Sequence, residues 1–147
     1  NEDLSGWDVS SVTDMKNMFA GSTEFNGDIS SWDVSSVADM GGMFAIATSF
    51  NQDIRTWNVS SVNYMESTFL FATSFNQDIS NWDVSSVINM ERMLYDATSF
   101  NQDLCAWGDK FPYNNALDIF KSTYSGCTFQ GTPQESQQGP FCASECN

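Results

Sequence analysis

Residues 26–50 read NGDISSWDVSSVADMGGMFAIATSF, and the same pattern recurs along the chain with a fixed step. Trp7, Trp32, Trp57, Trp82 and Trp107 stand 25 residues apart, as do Asn1, Asn26, Asn51, Asn76 and Asn101. Asp3, Asp28, Asp53, Asp78 and Asp103 keep that step, and so do Val9, Val34, Val59 and Val84. Full units therefore cover 1–25, 26–50, 51–75 and 76–100, with a partial one at 101–107. Such unbroken register implies that each unit is one turn of a solenoid, burying its apolar residues only by stacking on its neighbours.

Within the unit, Ile29-Ser-Ser-Trp32-Asp-Val34 has apolar residues at the L-x-x-L-x-L spacing of a leucine-rich-repeat strand, with Trp32 and Val34 facing inward together. Val37, Met40, Met43 and Phe44 then follow at i, i+3, i+6 and i+7, which reads as helical spacing after a Ser35-Ser36 cap. The expected fold is an α/β repeat: a right-handed, leucine-rich-repeat-like solenoid with one short strand and one short helix per 25-residue turn. A cap is expected from residue 108 to 147, because a last turn otherwise presents a bare apolar face.

The run Val34-Ser-Ser-Val37-x-x-Met40-x-x-Met43-Phe44, followed by Ala47, Phe50, Ile54, Trp57 and Val59, resembles the BspA-like surface repeats, a divergent leucine-rich-repeat group of cell-surface and secreted proteins. The resemblance spans 1–107 and departs from the usual form in unit length, in Trp at the second apolar position, and in Ser22, Ala47, Ala72 and Ala97 where Cys is common. It implies adhesion and protein or matrix binding without catalysis. The tail, with Leu104-Cys105-Ala-Trp107-Gly and Gly139-Pro-Phe-Cys142, resembles a disulfide-stapled C-terminal cap.

Composition narrows the function. In 147 residues, Asp plus Glu number 19 against 5 Lys plus Arg, a net charge of −14. That balance repels phosphate backbones, so nucleic acid is not an expected partner. Histidine is absent, which removes the common nucleophilic triads and zinc motifs. No apolar run is long enough to span a bilayer, so no membrane insertion is expected. Cys105, Cys127, Cys142 and Cys146 form an even set without zinc or redox spacing, which favours two disulfides and an extracellular or cell-surface location. Their pairing stays open among three connectivities.

Positions kept in every unit are first explained by the fold, and varying positions are free for partners. The Trp, Phe and Met columns read as core. Asp28, Asp53, Asp78 and Asp103 sit in the Phe-Asn-x-Asp turn, where stacked carboxylates repel unless backbone amides or bridging calcium ions neutralise them. Asp8, Asp33, Asn58 and Asp83 fall between Trp and Val on the outward side. Ser35, Ser60 and Ser85 follow them, and Ser31, Thr56 and Asn81 precede. These would pave a concave face suited to a cationic peptide or a carbohydrate, or serve only for solubility.

Identical carboxylates in identical settings lack the pKa asymmetry that acid/base catalysis needs, so no enzyme is expected and no cofactor beyond calcium. Asn58-Val59-Ser60 is an N-glycosylation sequon, with Asn58 as the acceptor. Ile46, Leu70, Phe71 and Tyr95 replace small residues after the apolar run of the unit and would form an apolar ridge, unless they fold back into the core. The Thr23, Thr48, Thr73 and Thr98 column is too sparse to support ice binding.

The chain opens at a unit boundary with no N-terminal cap. That predicts either further repeats before residue 1 or self-association through the open end. Two readings follow: a surface module recognising an extracellular protein or glycan, or a structural subunit stacking end to end into a fibre, sheath or wall layer.

Overall fold

The computed structural model describes residues 3–123 and 132–135. Successive units lie one on the next, joined by main-chain hydrogen bonds from alternate residues. Met15 N–H donates to the carbonyl of Asp39, Met40 N–H to Tyr64, and Met65 N–H to Asn89, each at 2.9 Å. In the second unit Gly42, Phe44 and Ile46 continue the series to Glu66, Thr68 and Leu70 at 2.8, 2.8 and 2.7 Å. Single parallel bridges pair Asp14 with Asp39, Asp39 with Tyr64, and Tyr64 with Asn89.

The strand and helix expected in each unit do not form, so the α/β leucine-rich-repeat reading is corrected to a stack of coils built from turns. Among the described residues the regular elements are two 3-10 helices, Cys105–Lys110 and Tyr113–Asn115, besides the isolated bridges. The physical reason lies in the three-residue spacing itself. Trp32 N–H donates to Ile29, Val37 to Val34, Met43 to Met40, Ala47 to Phe44 and Phe50 to Ala47, all at 3.0–3.1 Å. Each pair of apolar residues three apart closes a turn and turns both side chains inward, so a spacing read as strand or helix is a chain of reverse turns.

Left-handed backbone keeps these turns from winding into a helix. Asn17, Gly42, Ser67 and Arg92 hold φ of 53–63°, and Gly21, Ile46, Phe71 and Asp96 hold 55–74°, two columns at the 25-residue step. A residue with positive φ at the third position of a turn reverses the peptide plane. The amide of that residue is thereby aimed at the neighbouring coil, as Gly42 donates to Glu66 and Ile46 to Leu70, while the amide after it closes the turn.

On the opposite side, side chains join the coils. Asn26 Oδ1 accepts the Asn51 amide, Asn51 Oδ1 that of Asn76, and Asn76 Oδ1 that of Asn101, each at 2.9 Å. Gln52 and Gln77 reach back to the carbonyls of Asn26 and Asn51. The indoles of Trp32, Trp57 and Trp82 donate to the carbonyls of Leu4, Ile29 and Ile54 at 3.0–3.2 Å. The indoles of Trp32, Trp57 and Trp82 therefore pair carbonyls of the buried residues Leu4, Ile29 and Ile54, and the Asn side chains pair amides that the turns leave free.

Between the two seams lies an aromatic core. Phe44 stacks on Phe50 at 3.9 Å between centroids, and Phe50 on Phe25 and Phe75 at 5.9 and 6.0 Å. Met40, Met43, Phe44, Ala47 and Phe50 are fully buried. In the first coil Trp7 is 55% exposed, whereas Trp32, with a coil on either side, is 4%.

The stack continues past Trp107, inside the segment expected to begin the cap. Met90, Arg92, Leu94 and Asp96 donate to Asn115, Leu117, Ile119 and Lys121 at 2.7–3.1 Å. Ala116, Ile119, Phe120 and Thr123 are buried at positions 26, not 25, after Met90, Met93, Leu94 and Ala97. One added residue, in the stretch carrying the two 3-10 helices, hides this fifth coil from a fixed-step comparison. Beyond it Thr132 Oγ1 accepts the Asp118 amide at 2.9 Å, the group that would otherwise donate to a further coil, and Pro133 is buried.

Phe50→Ala should cost about 3–5 kcal/mol, because the ring is enclosed by coils on both sides. Phe25→Ala, half-buried in the first coil, should cost measurably less in the same urea unfolding series. Equal losses would mean that stacking between coils does not set the stability.

Candidate functional site

The aspartate columns are turn staples. Oδ1 of Asp28, Asp53, Asp78 and Asp103 accepts the amide two residues on, from Ser30, Arg55, Ser80 and Cys105, at 2.8–3.2 Å. Asp8, Asp33, Asn58 and Asp83 do the same for Ser10, Ser35, Ser60 and Ser85 at 3.0–3.2 Å. A third column, Asp14, Asp39 and Asn89, repeats the motif. A side-chain oxygen that bonds the amide two residues ahead mimics a backbone turn, which is why Asp and Asn interchange here.

These bonds set the charge state. The Ser35 hydroxyl, then its amide, holds the Asp33 carboxyl below its ordinary 3.8, against desolvation and the charge of Asp8. The Ser30 amide and then its hydroxyl lower Asp28. Asp83 is lowered by the Ser85 hydroxyl and by Lys110, whose ammonium lies 3.1 Å away. Asp8 and Asp78 move the same way.

Of the residues expected on a concave face, Ser31, Thr56 and Asn81 are exposed beside this column, and Ser35, Ser60 and Ser85 are engaged with it. For the expected calcium column, Arg55 chelates Asp53 Oδ2 through Nε and Nη2 at 3.1 and 2.8 Å. Among the described residues no three His, Cys, Asp or Glu side chains converge to hold a metal ion. Asn58, the sequon residue, is exposed and accepts the Ser60 hydroxyl at 2.8 Å. Cys105 is disulfide-bonded. The expectations for Cys127, Cys142 and Cys146 lie outside the described residues.

The ridge residues come together. Ile46 N–H bonds the Leu70 carbonyl and Phe71 N–H the Tyr95 carbonyl, so four side chains from three coils follow one edge. Ile46 is 46% and Phe71 40% exposed, with Leu70 and Tyr95 half-buried beside them. Phe71 meets Tyr95 edge-on at 5.7 Å, and the Lys121 ammonium sits 5.6 Å over the Tyr95 ring. A groove of about 280 Å3 opens here, lined by Leu70, Phe71, Arg92, Tyr95, Asp118 and Lys121.

Sequence reasoning missed Arg92, Asp118 and Lys121. The last two belong to the fifth coil, and the buried run Ala116, Ile119, Phe120 and Thr123 was the signal that would have placed them.

The model of the family described as "Mycoplasma protein of unknown function, DUF285" matches residues 1–124. The chain belongs to that family. The matched span of this DUF285 chain takes in the fifth coil, which the tryptophan step alone leaves out. No curated protein matches the chain, and no solved structure does. No helix among the described residues is long and apolar enough to cross a membrane.

The carboxylate staples predict a pH dependence. A carboxyl held below its ordinary value contributes stability that is full above about 3.8 and is lost as pH falls through the lower folded value. The urea midpoint should therefore be flat from pH 7 to 5 and fall below about 4. Asp33→Asn with Asp83→Asn should keep the turns, as Asn58 does, and flatten that fall. An unchanged acid limb in the double variant would show that these bonds do not govern it.

Proposed function

We propose that this chain is a non-enzymatic recognition module, presented extracellularly or at the cell surface, that binds a partner protein through the ridge Ile46, Leu70, Phe71 and Tyr95. The observation that carries the reading is the backbone at Ile46 and Phe71. Both hold left-handed φ, 62° and 57°, with large, partly exposed apolar side chains. A β-branched residue in that region is a conformational outlier, and such strain costs on the order of 1–3 kcal/mol. The same column carries Gly21 and Asp96, residue types that take this conformation at lower cost. With so much of both side chains in water, burial recovers little of the cost. Strained residues that the core does not require are expected where a surface is kept for a partner.

Two further observations support the reading. The carboxyls of Asp8, Asp28, Asp33 and Asp83 are all held below their ordinary value by the turns they cap, an alike set that differs from the split acid and base pair of hydrolytic chemistry. The aliphatic side chains of Ile46 and Leu70 favour an apolar protein segment over a sugar. The resemblance to surface repeats of the BspA-like group agrees with adhesion outside the cell.

The test uses Ile46→Gly with Phe71→Gly, which releases the left-handed strain while removing the ridge. Binding is measured to wells coated with fibronectin, laminin, collagen or mucin. The double variant should melt no lower than the parent and lose at least tenfold in affinity for whichever coat the parent binds. Unchanged binding, or a variant that no longer folds, would return these residues to a purely structural role.

A further inference from the structure

Arg92 stands apart from the other cations of this acidic chain. Lys16 pairs with Glu66 at 3.1 Å, Arg55 with Asp53 at 2.8 Å, Lys110 with Asp83 at 3.1 Å and Lys121 with Asp118 at 3.5 Å. Those are the other four of the five Lys and Arg residues. Among the described residues Arg92 makes no ion pair, although carboxylates outnumber cations by 19 to 5. It is exposed, and it lines the groove together with Leu70, Phe71 and Tyr95.

The groove's own carboxylate is committed elsewhere, since Asp118 is taken by Lys121 while its amide is held by Thr132. Lys121 is further occupied by the face of Tyr95. Left-handed backbone also gathers here: Phe71, Arg92 and Asp118 hold φ of 57°, 53° and 55°. The groove thus offers one open guanidinium fork beside an aromatic and aliphatic wall.

We propose that this groove receives the carboxylate of an acidic peptide segment, paired with Arg92, while an apolar side chain next to that carboxylate lies against Phe71 and Leu70. The proposal rests on the ridge reading above and names the chemistry of its partner. A guanidinium presents parallel N–H donors that match a carboxylate in a forked, two-bond pair, which a lysine does not reproduce. Repulsion between the peptide and the net charge of −14 acts at long range and is damped beyond about 8 Å at physiological ionic strength. The contact pair lies well inside that distance.

The experiment titrates the full chain, disulfides intact, into two fluorescent octapeptide pools and follows anisotropy. In one pool Asp or Glu alternates with Leu, Phe or Trp; in the other Asn or Gln replaces the acids. The acidic pool should bind at least tenfold more tightly. Arg92→Asn, which tolerates left-handed backbone, should remove that preference and leave the amide pool unchanged. Equal binding of the two pools, or a preference that survives Arg92→Asn, overturns the proposal.

If the pools bind equally yet Ile46→Gly with Phe71→Gly abolishes both, the ridge reading stands and this inference alone falls. If neither pool binds, or the ridge variant binds like the parent, both fall. Displacement of the acidic pool by sialyllactose, lost in Arg92→Asn, would assign the carboxylate to a glycan and overturn the peptide.

Discussion

The amide that leaves its own coil is the constraint on which the rest of this molecule depends. From Met40 to Ile46 every second N–H donates to the carbonyl 24 residues ahead, and the turns between them close on apolar residues three apart. An amide cannot serve both a helical bond and a bond to the next coil. Left-handed backbone at Gly42 and Ile46 decides the contest by reversing the peptide plane. Once it is decided, the unit length is fixed, because the ladder returns to register only if each circuit has the same number of residues. The fifth coil absorbs its one added residue in the stretch of Cys105–Lys110 and Tyr113–Asn115, outside the ladder, and the ladder resumes at Asn115.

A seam of main-chain bonds on one side leaves the other side to be joined differently. There the turns around Asp28 and Asp33 use their own amides locally, so few backbone donors remain to reach a neighbour. The side-chain oxygens of Asn26, Asn51 and Asn76, which accept the main-chain N–H of the next coil, and the Trp indoles, which donate to the preceding one, supply the missing links. This explains why polar and aromatic columns are equally invariant. Asn26, Asn51 and Asn76, like Trp32, Trp57 and Trp82, are each one half of a bond whose other half belongs to the adjacent coil, so each is needed once per circuit.

The period, the register and the identity of the core were legible in the sequence, because they depend only on which residues recur. Local conformation was not. Ile29, Trp32, Val34, Val37, Met40 and Met43 satisfy the apolar spacing of a strand followed by a helix, and equally that of consecutive turns. Periodicity reports which side chains point inward and does not report where amides point. The distinguishing signal lay in the column Asn17, Gly42, Ser67 and Arg92, where only two of four residues are typical of left-handed backbone. In the candidate site, the ridge was legible because Ile46, Leu70, Phe71 and Tyr95 break a column of small residues. Arg92 was not, since its isolation depends on where every carboxylate lies in space.

The ridge and the staples show two opposite uses of a repeat. Along the Asp28 and Asp33 columns the same residue in each coil does the same local work, and acidity is tolerated because each carboxylate is held by the turn it caps. Along the Gly21, Ile46, Phe71 and Asp96 column the backbone is kept while the side chain varies, and it varies toward residues that the backbone does not favour. A fold that fixes conformation by cooperation between coils can accept such residues, because the strain at one position is spread over a ladder that both neighbours enforce. A single turn on its own would relax. The stack thus presents apolar side chains in a conformation that an isolated loop would not hold, which is the physical sense in which this architecture is suited to displaying a binding surface.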